Sequence, residues 1–383
     1  HRVHKAHSPN SAVRKKSTHM PLVAHTPLPS LEKLRTIHRH EVLSLEQALK
    51  QDIRELHIGF LNMMPDSAFK VTELQFLRLV GSSNQIAQFY IYPTTMPGFK
   101  RNPEIQDYID QYYTPFEQLK EEGLDALIVT GANIANSNLD EEPFWDDLRD
   151  VIEWSMQNVT STLASCLSTH AIAKAISRIE RKRLSKKRWG VYSHRVTRSD
   201  HPLLLDINTR FDVPHSRNND VSRAQLEVAG YKTLVYSEEG GVHLAVSPDQ
   251  FRLVFLQGHP EYDHISLLKE YKREVQRFIN GEIDEYPPHP ENYFGRKAKK
   301  IVDYYQELVY AALEQGNPVP EFPEAELDPW LDNTWRDSGR AFFNNWIGLI
   351  YQLTDVDRKI AFPPHIDPND PLGLNAKEAA DRS

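Results

Sequence analysis

Val159-Thr-Ser-Thr-Leu-Ala-Ser-Cys-Leu-Ser-Thr-His170 is the stretch from which the fold is read. Residues 159–164 are β-rich, and this short apolar run has the composition of a buried strand. It runs directly into small residues whose spacing predicts a helix over 168–177. Cys166, the only cysteine of the chain, therefore stands where a strand turns sharply into a helix. A side chain so placed is exposed at the edge of a sheet. Helix N-terminal amides beside it can lower a thiol pKa and bind an oxyanion. A lone cysteine also serves commonly as a small buried hydrophobe, so position alone leaves both roles open.

Working outward, the same alternation recurs on the N-terminal side. Glu55-Leu-His-Ile-Gly-Phe-Leu61 reads as a buried strand ending in the loop Asn62-Met-Met-Pro65, and residues 72–80 have helical spacing. Strands are expected at 88–92 and 126–131, helices near 44–54, 116–122 and 144–156, the last with Trp145, Leu148, Ile152 and Met156 on one stripe. Beyond the cysteine, residues 189–257 turn strand-rich, with strands expected at 191–195, 233–236, 242–246 and 252–256. The last of these ends in Gly258-His-Pro-Glu-Tyr-Asp263. Helical patterns follow at 264–280, 297–315 and 338–353, while 317–329 and the tail from Pro363 are Pro- and acid-rich and read as loops or frayed ends. Alternating strands and helices predict βαβ units, hence a doubly wound, mostly parallel α/β sheet with a helical C-terminal region. The expected divisions are a leader over 1–19, an α/β core over 20–295, C-terminal helices packed on it over 296–357, and a tail over 358–383.

Composition narrows the function. The 383 residues are 40% hydrophobic and 26% charged, a globular composition. With 45 Lys+Arg against 53 Asp+Glu the formal charge is −8, which disfavours a chain-wide binder of nucleic acid or anionic membrane. No apolar run reaches the roughly 20 residues that cross a bilayer. One cysteine leaves no intramolecular disulfide and fits a reducing, cytoplasmic setting. Residues 1–19 carry Arg2, Lys5, Arg14, Lys15 and Lys16 with no acid and are set apart from the fold, as added sequence or a processed arm.

Three groups of residues can carry chemistry. His259 and Glu261 stand at a strand end, and in a doubly wound sheet strand C-ends open into one crevice, so His259 can meet Cys166 there. The roles would be thiolate nucleophile, imidazole base, and a carboxylate holding the tautomer. His259, Glu261, Asp263 and His264 also contain metal-ligand types, but neighbouring ligands on one tight turn seldom share an ion, and no metal is expected. Glu270 and Arg273 lie three apart on the following helix and share a face, either as a surface ion pair or as a cradle for the ammonium and carboxylate of a zwitterion. The basic run Arg178-Ile-Glu-Arg-Lys-Arg-Leu-Ser-Lys-Lys-Arg188 reads first as a solvated face; the phosphates of a coenzyme or an acidic acyl group are further partners. No aromatic interleaving points to nucleic acid.

Leu61-Asn-Met-Met-Pro65, Glu73-Leu-Gln-Phe-Leu-Arg78, Ile128-Val-Thr-Gly-Ala132, Val159-Thr-Ser-Thr-Leu163, Val213-Pro-His-Ser-Arg217, Gly258-His-Pro-Glu-Tyr-Asp263, Asn292-Tyr-Phe294, Trp335-Arg336 and Asn344-Asn-Trp346 follow one another in order and spacing between residues 40 and 357. In this the chain resembles the homoserine O-acyltransferase family, whose fold is that of class I glutamine amidotransferases. The resemblance implies ping-pong acyl transfer through a Cys166 thioester, with His259 as base and Glu261 behind it. The acyl-coenzyme A is a co-substrate, no cofactor is bound, and the enzyme is expected to be a homodimer acting in methionine biosynthesis. By its position after the nucleophile, the Leu167 amide is an oxyanion donor; the family's other donor comes from the stretch 64–70. The family's homoserine-binding acid and arginine match Glu270 and Arg273, and Lys187 and Ser216 match two further substrate positions. Donor choice in the family is set by the residue here numbered Ala135. Glutamate there goes with acetyl-coenzyme A and glycine with succinyl-coenzyme A, so a small uncharged residue favours succinyl. The chain departs from the family after the cysteine, where Trp, a small residue and Gln are replaced by Leu167-Ser-Thr-His170. His170, one helical turn from Cys166, is thereby a competing partner for the thiol. Acetyl transfer to homoserine or serine, an amide hydrolase using the same three residues, and a non-catalytic binding protein are the rival readings.

Overall fold

The computed structural model describes residues 22–38, 42–83 and 87–383; the leader expected over 1–19 lies outside them. Eleven strands form one sheet: β1 (Leu22–Ala24), β2 (Val42–Ser44), β3 (Glu55–Leu61), β4 (Gln88–Thr94), β5 (Ala126–Val129), β6 (Ser161–Ser165), β7 (Lys182–Val196), β8 (Arg210–Asp220), β9 (Lys232–Ser237), β10 (Gly241–Val246) and β11 (Leu253–Leu256). Their order is β2-β1-β4-β3-β5-β6-β11-β10-β9-β7-β8. From β2 to β11 every pairing is parallel, and from β11 to β8 every pairing is antiparallel. The run β4-β3-β5-β6-β11 is a flavodoxin-like order, a doubly wound sheet whose strand C-ends form the ligand crevice.

The parallel strands read as near-continuous apolar runs because helices cover both faces. On one face the helices Asp66–Gly81 and Arg336–Leu353 meet through Phe76 and Phe343, over Phe60, Ile128 and Leu163. Trp346 is fully buried there, and its indole N–H donates to Ser161 Oγ at 2.9 Å at the start of β6. On the other face Leu148 and Ile152 of the helix Trp145–Asn158 pack with Leu127, Val129 and Ala164. A third cluster joins the helices Ser266–Ile279 and Arg296–Gln315 to Trp189 and Val191 of β7.

Several elements differ from expectation. Asp66–Gly81 begins six residues before 72, because Pro65 presets the chain and Asp66 favours the helix N-terminus. The stretch 64–70 is therefore mostly helix. The helix Pro103–Tyr112, opened by an Asn102 side chain that accepts from Ile105 N–H, lies in a segment read only as polar. β8 contains Pro214, which masks it as a strand; it is the terminal strand of the sheet, where a missing donor is tolerated. The basic run 178–188 feeds the long strand β7. The tail read as frayed contains the helix Leu374–Asp381, in which Glu378 pairs with Arg198 and Asn375 accepts from Gln250 Nε2 at 2.8 Å.

Candidate active site

The sharp turn after β6 is built into the backbone. Cys166 has φ 51° and ψ −110°, a left-handed conformation that costs a non-glycine residue on the order of 1–3 kcal/mol. Two anchors hold it: Cys166 N–H donates to Leu256 O of β11 at 2.7 Å, and Ser168 Oγ accepts from Ser165 N–H at 2.9 Å. The helix Leu167–Ser177 starts at the next residue, so the Leu167 amide has no preceding turn to bind. Gly131, at the end of β5, faces this corner. A Cβ added there would lie 3.6 Å from Cys166 Cβ and 3.8 Å from Leu167 N, so glycine keeps open the space above that amide.

Adjacency of β6 and β11 brings the histidine to the sulfur. Leu256 pairs with Ser165, and three residues on His259 comes close enough to Cys166 for the sulfur to act on its imidazole. His259 N–H donates to Pro214 O of β8 at 2.8 Å, which fixes the turn. The ring's Nδ1 meets Glu261 Oε1 at 2.7 Å, leaving Nε2 for the sulfur. Both side chains are buried, at 7% and 4% exposure. Burial works against the imidazolium, yet the Glu261 carboxylate and the Cys166 sulfur overcome it and hold the His259 pKa well above the ordinary histidine range. The histidine is thus poised to hold the thiol's proton.

His170 does not compete for the thiol. Its Nε2 meets Gln257 Oε1 at 2.7 Å, and burial drops its pKa to about 4. The four residues of the metal reading also part company. Asp263 accepts from Arg78, His264 from the other end of the turn meets Asp328, and among the described residues no group of three or more His, Cys, Asp or Glu is arranged to hold an ion.

Tyr262 was not singled out in the sequence, although it lies inside the His-Pro-Glu-Tyr-Asp turn. Its ring stacks on His259 with centroids 4.3 Å apart, and burial together with the nearby Glu270 and Glu261 carboxylates pushes its phenol pKa well above the ordinary range. Glu270 accepts from Ser216 Oγ, while its Oε2 is buried without a partner, an acceptor suited to a substrate ammonium. Lys187, over the Trp189 ring at 4.3 Å, has its pKa lowered by burial and supported by Glu270 and Glu274. Arg273 is exposed near the same group. Ser216 bonds one oxygen of Glu270 and leaves the other unpartnered, while Lys187 feels the charges of Glu270 and Arg273.

Ala135 lies exposed on the loop after β5, where Glu142 Oε1 accepts from the amides of Ala135 and Asn136, both at 2.8 Å. In the stretch 64–70, Met64 N–H is taken by Asn62 Oδ1 at 3.1 Å and Lys70 pairs with Glu104 at 2.9 Å, so the first helical amides, of Asp66 and Ser67, are the donors left there.

Fold and geometry together define a class: a doubly wound α/β protein organised around a cysteine–histidine–glutamate chain at the C-terminal edge of its sheet. The family model for homoserine O-succinyltransferase matches residues 21–356. Among curated relatives, the homoserine O-succinyltransferase of Nitrosococcus oceani is 56% identical over 355 residues, covering 93% of this chain and 99% of that protein. That of Thiobacillus denitrificans is 53% identical and covers 93% of this chain and 100% of its own. Among solved structures, a glutamine amidotransferase from Methylobacillus flagellatus is 13% identical with a TM-score of 0.40, covering 77% of this chain and 95% of its own; the fold assignment rests on the strand order instead. The chain belongs to the homoserine O-succinyltransferase family, and it is an acyltransferase.

Proposed function

We propose that the protein moves a succinyl group from succinyl-coenzyme A to the hydroxyl of L-homoserine through a thioester on Cys166, the committing step of methionine biosynthesis, in the cytoplasm and as a homodimer. The observation that carries this reading is the continuous chain from Cys166 through His259 to Glu261, with the Leu167 amide and the Gly131 space on the other side of the sulfur.

In the first half-reaction Cys166 Sγ attacks the donor thioester carbon while its proton passes to His259 Nε2. The oxyanion forms against the Leu167 amide, with an amide from the start of the helix Asp66–Gly81 as second donor. The carbon–sulfur bond to coenzyme A breaks, and the proton leaves with the thiol. The exchange of one thioester for another is nearly even in energy, so both directions are open. In the second half-reaction homoserine binds with its ammonium at Glu270 Oε2 and its carboxylate at Arg273 and Lys187. Its hydroxyl gives a proton to His259 as the oxygen attacks the acyl carbon. The Cys166–acyl bond then breaks and the proton returns to sulfur. Ala135 supports succinyl as the donor, because it neither fills nor repels the space a glutamate would occupy.

Incubation with succinyl-coenzyme A alone is expected to add one succinyl mass to the chain and to release one equivalent of coenzyme A. An unlabelled wild type, alongside an active enzyme, would overturn the covalent route. A matrix of acetyl- and succinyl-coenzyme A against homoserine and serine decides between this reading and acetyl transfer on the same site. Light scattering in solution reads the dimer.

A further inference from the structure

The basic run that leads into β7 is only partly used by the site described above. Lys187 belongs to the acceptor patch, Lys186 pairs with Glu291 at 2.6 Å, and Arg188 pairs with Asp220 at 3.3 Å. Among the described residues Arg178, Lys182 and Arg183 also lack an ion pair but are exposed, which leaves Arg181. It is half-buried, and among the described residues it forms no ion pair within 4.0 Å. Its hydrogen bond to Ser137 O is 3.5 Å long, the outer limit of such a contact, so the fork of donors is largely uncommitted.

Its surroundings say what the fork faces. Burial lowers the Arg181 pKa, and the two foremost influences that sustain its charge are the Cys166 sulfur and then the Glu142 carboxylate. Ser137 and Glu142 belong to the same loop as Ala135, the donor-selecting position, and Glu142 spends Oε1 on that loop's own amides. One end of that loop, Gly131, borders Cys166, and Ser137 further along it touches Arg181, so Arg181 stands beside the loop that runs up to the sulfur.

Other cations near the sulfur are committed. Arg217 also senses Cys166, but its donors are taken by His215, Asn219, Asp220 and Gly240 at 2.7–3.2 Å. Lys187 and Arg273 group with Glu270.

We infer that Arg181 is the donor-specificity residue of this enzyme, its guanidinium receiving the distal carboxylate of a dicarboxylic acyl group carried on Cys166. The inference rests on the acyl-transfer reading above and adds to it the group that attracts the acid. In a succinyl thioester the carboxylate carbon lies three C–C bonds, roughly 4 Å, beyond the thioester carbon. The phosphates of coenzyme A lie at the far end of the pantetheine arm and cannot reach the same guanidinium while the thioester is at the sulfur. A small residue at 135 leaves room for the acid; a free guanidinium at 181 gives it a partner with matching bidentate geometry.

The test compares kcat/KM for succinyl-, butyryl- and acetyl-coenzyme A, with homoserine as acceptor, in the wild type, Arg181→Met and Arg181→Lys. Butyryl has the chain length of succinyl without its charge. The wild type is expected to prefer succinyl over both. Arg181→Met should lower the succinyl-to-butyryl ratio by about 10- to 100-fold, the range for a hydrogen bond to a charged group, while the acetyl rate stays within about threefold. Arg181→Lys should keep the charge, lose the fork, and fall between. A wild type that shows no preference for succinyl refutes the donor reading itself, and this inference with it. A wild type that prefers succinyl while both variants keep the ratio overturns the role of Arg181 alone. Equal losses for all three donors overturn it too, by assigning Arg181 to general support of the site.

Discussion

At Cys166 and its neighbours a few ångströms separate the chemistry from its imitation. His259 and His170 both lie close to the cysteine in space or sequence, yet one faces the sulfur and the other is tied to Gln257. Replacing His259 by Asn should reduce turnover by about 10²- to 10⁴-fold with the melting temperature nearly unchanged, whereas His170→Asn should stay within about tenfold of wild type. The reverse ranking would reassign the base. Gly131→Ala tests the space beside the sulfur. Its methyl group would sit at ordinary contact distance from Cys166 Cβ, so the fold should tolerate it, but it would crowd the Leu167 amide. A fall in kcat of about 10²-fold with unchanged stability is expected, and unaltered kinetics would remove Leu167 from the oxyanion site. Cys166, His259 and Glu261 were legible because they stand at strand ends, where chain order alone indicates a shared crevice. Tyr262 and Arg181 lie in stretches that were marked, the His-Pro-Glu-Tyr-Asp turn and the basic run, but which member of each matters depends on where side chains meet after folding: one ring stacks on His259, and one guanidinium of the run reaches Ser137.

Strands and helices set these residues in place, and one close approach between segments fixes the strand that carries Lys187 and Trp189. β7 lies beside residue 291, with Val191 N–H donating to Glu291 O and Glu291 N–H to Trp189 O, both at 2.8 Å. Gly190, between them, has φ 150°, and a Cβ there would fall 2.2 Å from Glu291 O. Backbone cannot yield as a flexible side chain does. Gly190→Ala is therefore expected to destabilise the protein by about 2 kcal/mol or more and to raise KM for homoserine, since Trp189 and Lys187 move with the strand. A variant with native stability measured by urea unfolding would show that the contact relaxes freely. The parallel strands and the long amphipathic helices were readable from periodicity, whereas β8 was hidden by Pro214 and the edge strands β1 and β2 are three residues each, too short to show a period.

Over the whole molecule, buried histidines couple folding to pH. His194, His215 and His243 cluster together near the His259–Glu261 turn, and His215 meets His194 Nε2 to Nε2 at 3.0 Å. Burial lowers the pKa of His170, His194 and His201 to about 4 and of His57 to about 3, and pushes His215 and His243 well down as well. These groups bind protons more readily when unfolded. The stability they give is complete above about pH 6.5 and is lost as pH falls through the folded values, by up to about 1.4 kcal/mol per pH unit for each histidine that gains a proton on unfolding. His259 works in the opposite sense, but it stands against these six and against His25, His38 and His289, whose pKa burial also lowers. Denaturant midpoints are expected to drop steeply between pH 6.5 and 4, and a flat profile would mean that the cluster is hydrated.

The last residues of the chain have a consequence of their own. Arg358 reaches His57 and Glu122, Ala361 O accepts from Thr160 Oγ1 at 2.5 Å, and Glu378 holds Arg198, so this segment runs along the rim where β3, β5 and β6 begin, away from the sulfur. It lies beyond the residues matched by the family model. A chain still being synthesised cannot fasten that rim until residues 358–378 have been made. Removing residues 358–383 should accordingly slow productive maturation and sensitise the protein to proteases, while the surviving folded molecules turn over substrate at the native rate.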